Sequence, residues 1–408
     1  MKPMGTIPAD YVARDGELLI GGRTVDDLIG EAGDTPLFVY DRAIMAARVA
    51  RLRAALPPDV AIHYAMKANP HPGVVAAFAG MVGGIDVASA GEMRVALASG
   101  MAADDISFAG PGKRDRELEA AIAAGVTINL ESLAEGVRAL GIGARLGVRP
   151  RLAVRVNPNF EIRGSGMRMG GGAKPFGIDE DQVVPLCRDM IAAGAEWRGF
   201  HIFAGSQALD ADAIIEAQAA TVALAGRLAD AVGATPPLVN LGGGLGIPYF
   251  PGELPLDVER IGAALAEAIA ARAPSIAGSG FAVELGRWLV GEAGVYLTRI
   301  VDRKESHGEL FLVTDGGLHH QLAASGNFGT VVRRNYPVAV ATRFGQAADE
   351  TASVVGCLCT PLDRLADKVA LPRAEVGDVI AVFMAGAYGA SASPQAFLGH
   401  PPALEMIV

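Results

Sequence analysis

Chemically capable residues stand at the ends of several apolar, β-type runs. Lys67 closes the run VAIHYAMK, Glu284 lies in GFAVELGR, and the glycine run LGGGLG follows PLVN. A lysine that is desolvated near other cations has a lowered pKa and becomes a nucleophile towards aldehydes. Lys67 taken alone fits better a lysine that reaches solvent or a salt bridge.

The glycine run from Gly242 to Gly246 indicates an anion site. Glycines let backbone N–H groups approach a phosphate, and in a β/α barrel the loops after strands seven and eight form the usual phosphate cradle. Arg287, just past the eighth run, would add a charged donor. A Rossmann site needs its glycines at the first βα turn, with an acidic residue about 20 positions on. Neither condition holds here, so a dinucleotide site is not expected.

A phosphate site opposite a barrel-rim lysine suggests pyridoxal phosphate, whose aldehyde needs the lysine and whose ring nitrogen needs an electrostatic partner. Glu284 is placed to be that partner, because a carboxylate beside the ring nitrogen keeps it protonated and makes the ring a strong electron sink. His201, flanked by apolar residues, would stack on the ring. The alternative for His201 is a satisfied core histidine.

The elements that must position these residues repeat as an apolar run followed by a helical stretch, which indicates parallel βαβ architecture. Eight such runs suit a closed (β/α)8 TIM-like barrel over residues 37–287. A β-rich domain is predicted over 288–408, and the segment 1–36, which contains ELLIGGRTV, would join it. The eight runs span 60–67, 84–89, 106–111, 126–132, 151–158, 198–206, 237–246 and 280–287.

In such a barrel the active site gathers at the carboxyl ends of the strands. Nearly every predicted strand end carries a polar or special residue. The Gly-rich stretch 164–178 is predicted to be a loop after the fifth strand, either a lid or a plain surface excursion. The strand-end residues are, in order, Lys67, Asp86 with Ser89, Lys113, Glu131, Arg155 with Asn157, His201 with Ser206, the Gly242 to Gly246 run, and Glu284 with Arg287.

Composition narrows the partners. The chain has 408 residues, 51% of them hydrophobic, and a net charge of −10, which disfavours nucleic acid and anionic membranes and favours small molecules. No signal peptide or membrane span is apparent, so a cytoplasmic location is expected. No metal is expected either, because Cys357-x-Cys359 lacks a second cysteine pair and the adjacent His319 and His320 are predicted to point to different faces.

These residues resemble those of the fold-type III pyridoxal-phosphate decarboxylases, the diaminopimelate and ornithine decarboxylase group. HYAMKANP resembles the cofactor-lysine motif, GIDVASAGE the second-strand motif, HIFAGSQ the ring-stacking histidine and serine, and NLGGGLG the phosphate loop. ELGR resembles the Glu-Pro-Gly-Arg element with Leu285 in place of proline, GCLCTPLD the cysteine segment, and GAYG the phosphate-reaching tyrosine.

The resemblance implies a role for each matching residue, as well as a homodimer with shared sites. Lys67 would carry the cofactor as a Schiff base, and Cys359 would be the thiol that a partner subunit inserts into the site. The implied cofactor contacts are His201 on the ring, Glu284 at the ring nitrogen, Arg155 near the phenolic oxygen, Asp86 near Lys67, and Ser206, Gly243, Gly244, Arg287 and Tyr388 near the phosphate.

Departures from the family pattern bear on the substrate. Thr360 replaces the acidic residue that usually follows the cysteine and holds a distal ammonium, while Asp363 lies three residues further on. The chain more closely resembles an exosortase-associated subgroup, and a related branch acts on an aminoacyl group tethered to an acyl carrier protein. The expected substrate is therefore an amino acid or derivative without a free distal ammonium, either free or carrier-linked, with Arg168 or Arg333 and Arg334 meeting an anionic group.

Other functions stay open at this point. One is diaminopimelate decarboxylation in lysine biosynthesis, another is a racemase or epimerase of alanine-racemase-like fold, and a third is a non-catalytic homologue. Glu284 disfavours the racemase, because alanine-racemase-like proteins place an arginine at the ring nitrogen. Retention of Lys67, His201, Glu284, Cys359 and Tyr388 together disfavours a dead homologue.

Overall fold

A computed structural model describes residues 1–162, 164, 166–168, 170–326 and 333–408, with only the backbone at 167 and 168. The chain divides into two compact units. The β-rich unit comprises Met1–Ala47, Ile247–Leu254 and Arg287–Val408, and the barrel unit comprises Arg48–Gly246 and Pro255–Gly286.

The strands and helices alternate through the barrel unit, as the repeat predicts. The strands are β1 (Val12–Arg14), β2 (Glu17–Ile20), β3 (Arg23–Thr24), β4 (Leu37–Tyr40), β5 (Val60–Ala65), β6 (Gly84–Val87), β7 (Ile106–Phe108), β8 (Thr127–Leu130), β9 (Arg151–Asn157), β10 (Met167–Arg168), β11 (Ile178–Asp179), β12 (Glu196–Ile202), β13 (Gly205–Ser206), β14 (Leu238–Asn240), β15 (Gly280–Leu285), β16 (Gly294–Ser306), β17 (Glu309–Thr314), β18 (Val338–Val340), β19 (Glu350–Val355), β20 (Arg364–Leu371), β21 (Val379–Val382) and β22 (Leu404–Ile407). The α-helices are α1 (Val25–Ala32), α2 (Arg42–Ala55), α3 (Pro72–Ala79), α4 (Ala90–Ala98), α5 (Asp115–Ala124), α6 (Leu133–Leu146), α7 (Glu180–Ala192), α8 (Ala211–Val232), α9 (Val258–Ala270) and α10 (Arg287–Val290).

Eight parallel strands close into a barrel, which confirms the predicted fold. Their order is β9-β12-β14-β15-β5-β6-β7-β8, the β8–β9 pairing closes the ring, and β11 adds to the edge of β9. All eight predicted runs contribute a strand. The strands are nearly continuous apolar runs because both faces are covered, by the barrel interior and by the helices.

The turns from strand to helix are set by capping serines. Ser89 Oγ accepts the Glu92 N–H at 3.1 Å at the start of α4, and Ser132 Oγ accepts the Glu135 N–H at 3.1 Å at the start of α6. A serine cap satisfies a helix-end donor that has no intrahelical acceptor. Each cap therefore ends the loop close to the carboxyl end of its strand, where the polar side chains lie.

The β-rich unit has an eight-stranded sheet around the long strand β16, which pairs with β4, β17 and β21. Its core includes Phe38 and Tyr296, whose ring centroids are 4.8 Å apart. The segment ELLIGGRTV supplies β2 and β3, but these form a separate three-stranded sheet with β1.

The predicted barrel runs without interruption over residues 37–287. The observed unit boundaries differ from that prediction in two places. Strand β4 lies in the β-rich unit because it pairs antiparallel with Gly294–Leu297 and parallel with β22. Residues 247–254 also belong to that unit. An apolar run such as LFVY suits the core of either unit, and only its distant pairing partners decide between them.

No helix among the described residues is long and apolar enough to cross a membrane.

Candidate active site

A lysine, a carboxylate and a histidine meet at one end of the barrel. Lys67 lies just beyond β5, in the 3-10 turn Met66–Ala68, and its Nζ is 3.4 Å from Glu284 Oε1. Glu284 Oε2 is 2.8 Å from His201 Nε2 on β12. The Lys67 side chain is 42% exposed and that of Glu284 only 4%. The structure thus brings three of the predicted residues together, with an accessible amine above a buried carboxylate.

The charge of Glu284 is set by its neighbours. Burial raises the pKa of this carboxyl, but the Lys67 charge and the His201 hydrogen bond lower it by more. The pKa therefore lies well below its ordinary value. The carboxylate is therefore ionised at neutral pH. His201 is buried, and its Nδ1 has no hydrogen-bond partner among the described residues.

Asp86, predicted to lie near Lys67, is the centre of a hydrogen-bond network on neighbouring strands. Asp86 Oδ2 is 3.3 Å from His63 Nδ1, and Asp86 Oδ1 accepts from Ser107 Oγ. Ser107 Oγ in turn accepts from Asn129 Nδ2 at 3.0 Å. This network holds the Asp86 carboxylate among side chains of β5, β7 and β8, and its predicted place near Lys67 stays a prediction.

His63 is a site neighbour that sequence reasoning missed. Burial lowers the pKa of its imidazole, but the charges of Asp86 and Glu284 outweigh burial, and the pKa is raised above its ordinary value. His63 lies opposite Glu284 in the β5–β15 register. The available signal was the strand period of two, which puts His63 and Ala65 on the same face of β5.

Arg155 is held in place by a buried ion pair. Its Nη1 is 2.7 Å from Glu131 Oε1, and both side chains are almost fully buried. Glu131 also accepts the N–H groups of Gly177, at 2.9 Å, and Gly110. Burial raises the pKa of Glu131, but Arg155 and the Gly177 amide lower it below its ordinary value. Arg155 is therefore a fixed cation rather than a mobile surface arginine.

Lys113 is a strand-end residue that the structure assigns to stability. Its buried Nζ donates to the Gly110 and Asn129 carbonyls, at 2.8 and 2.9 Å, and to Glu135 Oε1 at 2.8 Å. An ammonium makes three hydrogen bonds, and all three are used.

The glycine loop after β14 is packed tightly against neighbouring backbone. A Cβ at Gly243 would lie 1.8 Å from the Glu284 carbonyl oxygen, and one at Gly244, where φ is +103°, would lie 2.7 Å from the Gly205 carbonyl oxygen. Ser206 lies in β13, directly after Gly205. The structure thus brings Gly244 close to the segment that carries Ser206, and only glycine fits at these two loop positions.

These features fit pyridoxal phosphate. Lys67 offers an accessible amine, Glu284 a buried negative charge, and His201 a buried ring with one nitrogen that has no partner in the described part of the chain. Strands β14 and β5 flank β15, so the glycine loop and Lys67 start two strand spacings apart, about 10 Å. A pyridine ring with a phosphate arm suits that spacing.

Arg287 and Tyr388 lie together in the β-rich unit. The Arg287 guanidinium carbon is 4.7 Å from the Tyr388 ring centroid, and Arg287 Nη1 donates to Tyr249 Oη at 2.9 Å. Tyr388 has φ of +54°, a left-handed conformation that is uncommon for a tyrosine. Tyr249 gave no sequence signal, because it lies in the short segment 247–254 between barrel elements.

In the segment after β19, Cys359 is exposed and the nearby carboxylate of Asp363 is buried. Cys359 and Thr360 are exposed and partly exposed, respectively, whereas Asp363 is only 3% exposed. Asp363 Oδ1 accepts the Leu318 N–H at 2.6 Å, and its Oδ2 accepts the Leu358 N–H at 2.9 Å. Asp363 is therefore committed to the backbone of its own unit.

The arginines expected to meet an anionic group are in part engaged elsewhere. Arg333 donates to the carbonyls of Arg364, at 2.6 Å, and Leu362, at 3.2 Å. Arg334 pairs with Glu253 at 3.1 Å and lies over the Phe250 ring. The Arg168 side chain lies outside the described part of the structure.

In the Gly-rich stretch, β10 pairs with β13 and β11 pairs with β9.

Comparison with known proteins places these features in a family. The model of the pyridoxal-dependent decarboxylase, pyridoxal binding domain, matches residues 42–291. An L-glutamyl-[BtrI acyl-carrier protein] decarboxylase from Niallia circulans is 36% identical over 92% of this chain and 89% of its own length. A diaminopimelate decarboxylase from Methanothermobacter thermautotrophicus is 33% identical over 96% and 91%. The crystal structure of Helicobacter pylori diaminopimelate decarboxylase with L-lysine superposes with a TM-score of 0.83 at 26% identity, covering 94% of each chain.

Proposed function

The chain belongs to the pyridoxal-dependent decarboxylases, and from that premise we propose that its substrate is an α-amino acid whose far end is bound to a carrier protein as a thioester. The general activity, that of a pyridoxal-phosphate-dependent carboxy-lyase acting on an amino acid, follows from the family. The proposal that the substrate is bound to a carrier protein rests on the surroundings of Cys359.

The observation that carries the proposal is that the described segment 357–363, which contains Cys359, offers no available carboxylate. A distal ammonium needs a negative partner, because a charge without one is costly to desolvate. Thr360 has no charge, and both oxygens of Asp363 are bonded to backbone amides. A thioester is uncharged and needs no such partner. The Niallia circulans relative, a decarboxylase of a glutamyl group on an acyl-carrier protein, supports the same substrate class.

When bound, pyridoxal phosphate supplies an electron sink for the pair left by departing carbon dioxide. Lys67 would hold the cofactor's aldehyde carbon, and Gly243, Gly244 and Ser206 would bind its phosphate. Glu284 would hold a proton on the ring nitrogen. Its depressed pKa keeps it anionic for that task.

Two further groups of the barrel would act on the ring and its proton. His201, fixed through Nε2 by Glu284, would stack on the ring and shield it from water. Arg155, fixed by Glu131, would orient the phenolic oxygen. Lys67 would take and return protons at its ε-amine whenever that amine is not bonded to the cofactor, because it is the accessible amine of the cluster.

Cys359 is proposed to deliver a proton to the α-carbon in a neighbouring subunit of a homodimer. Mixing Lys67→Ala and Cys359→Ala protomers tests this, because each mixed dimer would contain one site with both residues intact. We expect the mixture to regain up to about a quarter of wild-type turnover, given random reassortment of a two-fold dimer. A mixture no more active than its two separate components would contradict the shared site.

The substrate is tested by carbon dioxide release from the cofactor-loaded protein. The panel contains free meso-diaminopimelate, lysine, ornithine, arginine and glutamate, together with the same aminoacyl groups as thioesters on a carrier. We expect turnover of the carrier-linked substrates alone. Robust turnover of a free diamino acid would overturn the carrier proposal and restore the ordinary biosynthetic role, while leaving the decarboxylase assignment intact.

Thr360→Glu provides a matched variant for the same panel. It places a carboxylate where a distal ammonium would meet it, without changing the barrel. We expect the preference to shift towards free diamino acids, and Thr360→Gln, which adds similar bulk without charge, should cause no such shift. An equal effect of both variants would contradict the role assigned to position 360.

A further inference from the structure

Two histidines and a cysteine form a cluster in the β-rich unit, apart from the residues used above. His319, Cys357 and His400 each offer one ligand atom, and these atoms all lie within 4.8 Å of one another. Cys357 Sγ is 3.8 Å from His400 Nε2 and 3.9 Å from His400 Nδ1. The cysteine spacing and the adjacent histidine pair alone predict no metal.

His319 is the unusual member of the cluster. Its side chain is 0% exposed, yet neither Nδ1 nor Nε2 has a hydrogen-bond partner in the part of the chain that the structure describes. A buried polar nitrogen without a partner costs about 1 to 3 kcal/mol, so a native structure rarely leaves two on one ring. An absent partner is the simplest explanation.

His320 shows that the surroundings can satisfy a histidine. It is as buried as its neighbour, but its Nδ1 contacts Tyr296 Oη at 3.1 Å and its Nε2 contacts the Pro401 carbonyl at 2.9 Å. The two rings are not on opposite faces as predicted, since their centroids are 3.8 Å apart. Among the described residues the lack of partners is therefore specific to the His319 ring, and one nitrogen of that ring lies within 4.8 Å of the ligand atoms of Cys357 and His400.

We propose that His319, Cys357 and His400 bind one thiophilic divalent cation, Zn²⁺. Nitrogen and sulfur are the ligands that zinc prefers, and bonds of about 2.0 to 2.3 Å place tetrahedral ligand atoms roughly 3.3 to 3.7 Å apart. The 3.8 Å contact nearly meets that geometry, and the widest separation needs a contraction of about 1 Å. Three protein ligands leave the fourth position to water.

The protonation of His319 agrees with this assignment, whereas that of Cys357 must change on binding. Burial and the neighbouring histidines lower the pKa of His319 to about 4, so its imidazole is neutral at physiological pH and has a free lone pair. Burial raises the pKa of the Cys357 thiol to about 11, so the metal must displace its proton.

The proposed ion would also brace the segment that carries Cys359. Cys357 is two residues from Cys359, while His319 and His400 lie on separate segments of the unit. One ion would thus join three segments at the base of the exposed thiol. The metal site itself does not depend on the proposed substrate or on the cofactor.

The test is metal analysis of the purified, cofactor-loaded protein after exposure to Zn²⁺ and dialysis. We expect one zinc per chain, measured by inductively coupled plasma mass spectrometry. Co²⁺ is a second probe, because a thiolate ligand gives it a near-ultraviolet charge-transfer band and tetrahedral geometry gives it visible bands in the red.

Matched variants separate this site from adventitious binding. Cys357→Ser should lose the charge-transfer band and most of the zinc, and His400→Asn should weaken binding at least tenfold. Cys359→Ser, two residues away and exposed, should keep both signals. Cys357 and His400 are chosen for substitution because they are partly exposed, whereas His319 is fully buried and its replacement would disturb folding. Wild-type protein without stoichiometric zinc, or unchanged binding in Cys357→Ser, would overturn the proposal.

Discussion

Replacing Glu284 by glutamine removes the buried charge of the barrel cluster while keeping its shape. The carboxylate accepts from His201 Nε2 at 2.8 Å and lies 3.4 Å from Lys67 Nζ. A hydrogen bond to a charged group contributes about 1.5 to 3 kcal/mol. The Lys67 pair adds at most about 1 kcal/mol, because solvent screens the 42%-exposed lysine.

The two contributions together amount to about 1.5 to 4 kcal/mol. If the same charge stabilises the protonated ring nitrogen in the transition state, Glu284→Gln lowers kcat roughly 10- to 700-fold at about 1.4 kcal/mol per factor of ten. The loss should fall on kcat more than on KM, because the carboxylate is proposed to contact the cofactor and not the substrate.

Steady-state carbon dioxide release measures this effect, with cofactor occupancy read from the visible absorption band. Glu259→Gln serves as the control, since Glu259 forms an exposed pair with Arg51 on the outer helices. Glu284→Asp, which keeps the charge but not the reach, should lose less than the glutamine variant. Full occupancy with kcat within about threefold of wild type in Glu284→Gln would refute the electrostatic role.

Three other outcomes follow from the barrel cluster. Lys67→Ala should abolish the visible band of the bound cofactor, and an unaltered spectrum would contradict the assignment of this lysine. Gly243→Ala should lower the melting temperature and cofactor occupancy together, because its Cβ would lie 1.8 Å from the Glu284 carbonyl oxygen; normal values of both would show that the loop relaxes. His63 has a raised pKa beside Asp86, so its contribution to the free energy of unfolding is present below about pH 6.5 and declines as the pH rises through the folded pKa. Urea unfolding near pH 6 and near pH 8 should show that decline in wild type and much less of it in His63→Asn. An equal change in the free energy of unfolding in both proteins would contradict the pairing of His63 with Asp86.

The barrel was predictable because each strand is a local apolar run and each polar residue stands at its end. Lys67, His201 and Glu284 could be found in this way, since strand order alone gathers their side chains at one rim. The placement of β4 was not predictable, because its partners β16 and β22 lie far away in the chain.

Long-range packing also explains why some site residues could not be found from the sequence. Tyr249 meets Arg287 from a segment 38 residues earlier in the chain. Cys357 and His400 are 43 residues apart, and no short motif joins them. His63 was visible in the sequence, but its importance depends on Asp86 from the next strand. Contacts of this kind are set by tertiary packing and leave little local pattern.

The central claim is decarboxylation, and the fate of the α-carboxyl carbon tests it most directly. Cofactor-loaded protein is incubated with carrier-linked glutamate labelled at that carbon, in deuterated water, with Lys67→Ala as the blank. The account predicts labelled carbon dioxide and a product with one deuterium on the former α-carbon. Label retained in a product whose α-hydrogen has exchanged would instead identify a racemase or epimerase and contradict the account.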